Sequence, residues 1–518
     1  MILSHLAAYY LLLCVEVKKG ELYPLPSTTH SLTTLKNDLK ALATPTQLTW
    51  VVYLGFLLLQ IILALGSPGP TVYGYPVTET GERVESGENY TSQKNQKRLK
   101  YTCNALVSWW VTLANTAIIV YAYGDAPLLW LADNRGRLLT VAVILANTSS
   151  LLFYLHGRFL SKAFSQKNQK SKNYFFDFFM GVEFNPRSFF GKLDWKLLFE
   201  CRVSWVLLFL LTLSAVGKQA RNRQEFLEDL EDDYNDDYDG EVRDDISDTF
   251  ALPFLGPIAM PINHVSSASL LILTAHWLYT NAVQKGEHYV PFTFDVYKEK
   301  FGWMLVWWNA VGVPFLYTSV SFIVAENDPR LSYGYSGFLW VTLLSSYYVW
   351  DTAQSQRVTF RAKRINKITQ PRSESCFKVD EYQIPWGLPN TSGLPSSDEN
   401  KKMVPLRRRF AFPTLPWSEL KHPDYIATRN GGTLLTSGLT GMAWKIHYTC
   451  DFLMACVWAG TCGGSPFEFP VAYVYPLFFA IMISHRARRD EKRMRAKYQE
   501  DWMEFKKKVS CVWVPGVF

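Results

Sequence analysis

The sequence has no C-x-x-C pair: its eight cysteines are scattered through 518 residues, and Cys450, Cys456 and Cys462 fall in an apolar stretch. This excludes a disulfide framework or a cysteine-ligated zinc module, which need closely spaced thiols. Charge is also scarce, at 19% of residues, against 15% aromatics that include 18 tryptophans and 28 tyrosines. So many amphipathic rings suit the two faces of a membrane better than one soluble core. A continuous basic surface for nucleic acid is missing as well. The net charge of +7 is divided among clusters at 94–100, 158–172, 357–367, 401–409 and 485–508, each beside an apolar run. By the positive-inside tendency these clusters read as cytosolic.

What the chain does have is apolar runs, at 50–66, 105–123, 138–155, 203–216, 270–283, 304–325, 338–350, 442–462 and 469–484. The mean hydropathy of −0.03 averages them with long polar loops. Several are shorter than the ~20 residues that cross ~30 Å of hydrocarbon, so tilted or paired helices are expected. Backbone groups in lipid must be satisfied within their own segment. The expected fold is therefore all-α and polytopic, with about eight to ten transmembrane helices and a cytosol-facing pocket in the C-terminal half. Residues 1–45 stay unassigned: the short run from Leu6 to Val15, followed by Lys18 and Lys19, has no clear cleavage site behind it. Residues 46–217 form an N-terminal set of helices, 218–262 an acidic insert and its loop, and 263–518 the C-terminal core.

Between these units the polar residues carry the information. Gly66-Ser67-Pro68-Gly69-Pro70 ends the first run and opens a polar loop to Lys100. Asn89-Tyr90-Thr91 in that loop matches a glycosylation pattern, but a cytosolic loop would leave it unmodified. An aromatic segment, 174–187, is interrupted by Asp177, Glu183 and Arg187 and suits the headgroup region. The run 225–248 holds thirteen acidic residues and is expected to be solvated and disordered. A calcium loop starting at Asn235 fails at its twelfth position, which is Ile246 where a bidentate glutamate is needed.

Ionisable groups at membrane depth usually face a cavity. His276, Asn281, Glu287, Asp295 and Glu299 are candidates for this role, or simple interfacial ions. Asn309 and Pro314 interrupt an apolar helix, another frequent mark of a cavity. Arg357 and Arg361 stand one helical turn apart and can grip one phosphate. The segment 365–425 is rich in proline and polar residues, and reads as an irregular connection. Near the end, Arg486, Asp490, Met494 and Tyr498 recur every four residues, one helical stripe against which a long anionic ligand could lie. A basic stop-transfer flank would produce the same charge density.

The strings 177–187, 299–305, 312–315 and 445–451, with His485-Arg486 through Asp490 to Lys497-Tyr498, occur in an order and spacing that resemble the sterol reductase family. That family includes C-14, C-7 and C-24(28) reductases, and the likeness runs from about residue 50 to the end. The resemblance implies NADPH-dependent reduction of a sterol carbon–carbon double bond, the C-24(28) side-chain bond first, in a multi-pass protein of the endoplasmic reticulum membrane. Its sterol would come from the lipid phase. It places Arg357, Arg361, Leu435, Thr440, His447, Tyr448, Arg486, Asp490, Met494 and Tyr498 around NADPH, with Tyr448, Asp490 and Tyr498 as sources or relays of the proton. Asn281, Glu287, Asp295 and Glu299 would line the substrate cavity.

The chain departs from the family at Gly438-Leu439-Thr440-Gly441, where two aromatics are expected between the glycines. It departs also at Trp444, in place of an arginine, and at Met494, in place of a cysteine. Losing one charge-assisted phosphate contact costs ~2 kcal/mol unless a neighbour substitutes. Reduction at another position such as C-14, a silent sterol-binding protein, and an S-adenosylmethionine-dependent methyltransferase of similar C-terminal layout are the alternatives.

Overall fold

The computed structural model describes residues 1–24, 32–69, 71–77, 97–160, 173–237, 265–369, 389–390, 407–408, 415, 420–429 and 432–517. The glycosylation pattern at Asn89 and the acidic residues after Asp237 lie outside them.

Every apolar run falls on helix. Five helices, Gln47–Gly66, Ala105–Tyr123, Arg135–Leu160, Trp195–Asp229 and Trp303–Asn327, are long and apolar enough to cross a membrane. Ser267–Lys285, Tyr333–Thr369, Ile446–Gly460 and Val474–Lys508 complete the bundle. The result is a mostly helical, polytopic architecture. Where the sequence places Pro314, the helix widens rather than breaks. Residues Trp308–Leu316 form π turns, which accommodate a ring that lacks an N–H and crowds the preceding turn.

In lipid, apolar side chains gain little by meeting each other, so buried polar pairs help to fix the arrangement. They cluster at two opposite ends of the bundle. At one end Arg135 Nη1 meets Glu16 at 2.9 Å and Arg135 Nη2 donates to the Phe315 carbonyl at 2.7 Å. Lys218 meets Glu326 at 2.7 Å and Arg223 meets Asp328 at 2.5 Å at that same end. At the other, Arg202 pairs with Glu287 at 3.0 Å and Lys285 with Asp351 at 2.8 Å, all four nearly fully buried. Removing one partner of such a pair strands a charge, at a cost of about 3–5 kcal/mol.

Three segments differ from the sequence reading. The unassigned start is a helix, Ile2–Glu16, whose Leu12, Leu13, Cys14 and Val15 are buried in the bundle. The helix beginning at Ser204 continues through the first acidic residues to Asp237, because a helix already nucleated by its apolar part propagates at little cost through Glu and Leu. The helix carrying Arg357 likewise extends to Thr369, into the stretch read as irregular. Short antiparallel strand pairs also appear between helices: Thr71–Val77 with Lys97–Thr102, Arg187–Ser188 with Leu193–Asp194, and Tyr425–Ala427 with Thr433–Leu435.

Candidate active site

The end of the bundle that holds Lys285 and Asp351 also gathers most of the candidate residues. Arg357 leaves the 333–369 helix with its Nη1 2.9 Å from Nε2 and 3.1 Å from Nδ1 of His447. Lys445, the residue before the 446–460 helix, places Nζ 2.6 Å from the Asp490 carboxylate, which Arg493 approaches at 3.4 Å on its other oxygen. Arg486 lies 3.3 Å from Asp295. Lys445 Nζ also stands 4.4 Å above the Trp444 ring and 4.8 Å above the Tyr448 ring. Four segments distant in sequence thus converge on one cationic mouth.

Burial and the nearby Arg361 push the Arg357 guanidinium down to about 10, which leaves it charged at neutral pH. Burial, then Arg357, pushes the Lys445 ammonium down to about 7. Burial favours the neutral Asp490 carboxyl, but Lys445, Arg493 and Arg486 outweigh it and hold the group below the usual carboxylate range. Asp490 is therefore a fixed anion that anchors Lys445.

The four-residue stripe divides into two parts. Arg486 and Asp490 face the cationic mouth, whereas Met494 and Tyr498 pack on an apolar cluster of Ile426, Leu434, Trp444, Trp502 and Phe505. The stripe ends at Tyr498 because the next residue, Gln499, has φ 46° and breaks the helix. Tyr498 closes on Gly432, where an added Cβ would stand 3.1 Å from its hydroxyl. Leu435 is held in the neighbouring strand Thr433–Leu435. Beside it, Gln356 accepts the Leu439 N–H at 3.0 Å, and the buried Thr440 hydroxyl has no hydrogen-bond partner among the described residues. Trp444 is explained by its packing, edge-on to Trp502 at 4.9 Å between ring centres.

Deeper in the bundle lies an arrangement the sequence reading passed over. Tyr279 packs between Trp205, at 4.7 Å, and Trp350, at 5.1 Å. Trp458 stacks on Tyr475 at 5.1 Å, and Tyr475 meets Tyr317 at 4.2 Å. The Tyr279 hydroxyl and the Asp451 carboxyl group are close enough to interact. Tyr279, Trp205, Trp350 and Asp451 are only partly buried. Asp451 is the one acidic residue of the Ile446–Gly460 helix. An ionisable group in an apolar run is itself a functional signal, and Asp451 was legible on that ground.

The four residues assigned to the substrate cavity do not gather at one point, although Asp295 and Glu299 are close enough to interact. Glu287 is committed to Arg202 and to the Ala105 N–H, at 2.6 Å. Asp295 faces Arg486, within the cationic mouth. Glu299 holds the buried Lys196 through its backbone carbonyl, at 2.5 Å. Asn281 is fully buried, two residues beyond Tyr279 on the same helix.

Comparison with known proteins gives these sites a context. The family described as "Ergosterol biosynthesis ERG4/ERG24 family" matches residues 3–231 and 259–518. The chain is 32% identical to the Delta(24(24(1)))-sterol reductase erg4A of Aspergillus fumigatus, an alignment covering 99% of this chain and 89% of that protein. It is 31% identical to the Delta(24(24(1)))-sterol reductase of Gibberella zeae, over 92% of this chain and 63% of that one. Identity with the Delta(14)-sterol reductase of Methylotuvimicrobium alcaliphilum is 26%, over 98% and 92%. The chain therefore belongs to the ergosterol biosynthesis ERG4/ERG24 family of sterol reductases.

Proposed function

We propose that this chain reduces the C-24(28) side-chain double bond of a sterol, using NADPH, in the endoplasmic reticulum membrane. The observation that carries the reading is the 446–460 helix, which has His447 at the cationic mouth and Asp451 beside Tyr279 in the aromatic box. Membership in a reductase family implies a nicotinamide cofactor, and the residues present fit one. Arg357, Arg361, Lys445 and Arg486 offer the charge-assisted donors that a nucleotide's phosphates take. The unpartnered Thr440 hydroxyl supplies a buried polar contact. His447, Tyr448 and Leu435 would flank the nicotinamide half, with Met494 and Tyr498 at the far end of the stripe.

When bound, the nicotinamide supplies hydride. The protein's task is to hold the sterol dry, to place a proton, and to stabilise the charge between the two events. In this reading the Tyr279 hydroxyl gives its proton to one alkene carbon, the π electrons form the new C–H bond, and Asp451, protonated at the outset, passes its own proton to the tyrosinate and is reprotonated from water. The neighbouring carbon, now electron-poor, would face the rings of Trp205 and Trp350, which stabilise positive charge. Hydride then completes the saturated bond. Asp490, fixed as an anion, serves as the anchor of Lys445 rather than as the acid. Tyr448 stays at the cofactor end.

The test supplies the purified protein with a C-24(28)-unsaturated sterol and NADPH deuterated at the transferable position. A product lacking that double bond and carrying one deuterium is expected. NADPH binding without deuterium transfer to this sterol would overturn the choice of bond, and absence of NADPH binding would overturn the cofactor.

A further inference from the structure

The Arg187–Ser188 and Leu193–Asp194 strands form a hairpin in which Arg187 pairs with Asp194. Phe189 and Phe190 at its tip both take left-handed backbone angles, φ 53° and 57°, which bulky residues seldom adopt. Both rings point out of the fold, 52% and 107% exposed. Arg187 fixes this geometry: Nε donates to Asp194 at 3.1 Å, and Nη1 donates to the carbonyls of Lys100, at 2.7 Å, and Gly191, at 3.2 Å. The clip brings Lys192 of the hairpin and Lys100 of the Lys97–Thr102 strand to one small, solvent-open cleft. Arg202 and Asp194 also line this cleft, and Ala64, in the last turn of the Gln47–Gly66 helix, borders it.

The charges of Arg202 and Asp194 are matched, by Glu287 and Arg187. Lys100 and Lys192 have no ion-pair partner among the described residues, so the cleft keeps two positive charges. It opens where a lipid-length helix ends, and Leu58, Ile62 and Leu65 of that helix face outward. We propose that the cleft binds the phosphate headgroup of an anionic phospholipid, with its acyl chains along the 47–66 helix and Phe189 and Phe190 inserted beside them. A soluble anion would account for the lysines but not for two exposed phenylalanines held in an unfavourable conformation. Basic recesses at the ends of membrane helices have the chemistry to recognise acidic headgroups, and aromatic rings settle at the same depth.

The test uses the full chain in mild detergent with equal amounts of phosphatidate and phosphatidylcholine, and counts retained lipids by native mass spectrometry. Wild type is expected to retain phosphatidate preferentially. Lys100→Gln with Lys192→Gln should weaken this roughly thirtyfold, the loss expected from two interfacial cations. Phe189→Ser with Phe190→Ser should weaken it as well, while Lys36→Gln, an exposed lysine elsewhere, leaves it unchanged. The proposal is overturned if the double lysine variant retains phosphatidate as wild type does, if Lys36→Gln loses it equally, or if inorganic phosphate displaces the lipid. None of these readouts depends on reductase activity.

Discussion

Asp451 and Tyr279 carry the sharpest expectations for single side chains. Asp451→Asn and Tyr279→Phe keep the volume of each group and remove the proton path. Turnover should fall by roughly 10²- to 10⁴-fold, the usual worth of a placed general acid, while NADPH binding measured by fluorescence is retained. Unchanged turnover in both variants would remove the pair from the chemistry. Lys445 sets the pH behaviour of the mouth. Its ammonium is pushed down to about 7, so the charge that faces a phosphate is present below that pH and lost above it. Affinity for NADPH should therefore fall as pH rises through 7, by about tenfold for one charge-assisted contact, and Lys445→Arg should flatten the profile. The residues at the mouth were legible because arginines and a four-residue stripe announce themselves by spacing. Asp451 carries a signal of its own, as a carboxylate in an apolar run, but its pairing with Tyr279 does not: Tyr279 comes to it only through folding.

Among the elements, the strings 177–187 and 299–305 are the two sides of one contact. The Phe301 N–H donates to the Glu183 carbonyl at 2.7 Å. A Cβ on Gly302 would stand only 2.1 Å from the Gly181 backbone nitrogen, and Gly181 itself has φ 100°. Here backbone meets backbone, with no flexible side chain to yield. Gly302→Ala should cost about 3 kcal/mol or more, seen as a lower unfolding temperature and a smaller monodisperse fraction in detergent. Wild-type stability in that variant would mean the two segments separate freely. The apolar helices were readable from hydrophobic runs alone. The strand pairs were not, since elements of two or three residues such as Arg187–Ser188 are fixed by an ion pair and a clip to Lys100 rather than by any repeating pattern. The acidic run misled because its composition speaks for solvation, while the helix entering it was nucleated elsewhere.

Across the whole molecule, the cationic mouth lies at one end of the bundle and the acidic extension of the Ser204–Asp237 helix runs toward the other. Ligand binding should register in global stability, since a ligand that binds only the folded form stabilises it by mass action. NADPH at a hundred times its Kd should add about 2.7 kcal/mol, measured as a raised unfolding temperature, and the Arg357→Gln, Arg486→Gln double variant should lose most of that gain. An equal gain in the variant would place the nucleotide elsewhere. His447 and Asp451 are four residues apart on one helix, about 6 Å along its axis at 1.5 Å per residue. That rod is a ruler: in the proposed reaction it fixes the face from which each hydrogen arrives, so the reduced sterol should form as a single stereoisomer.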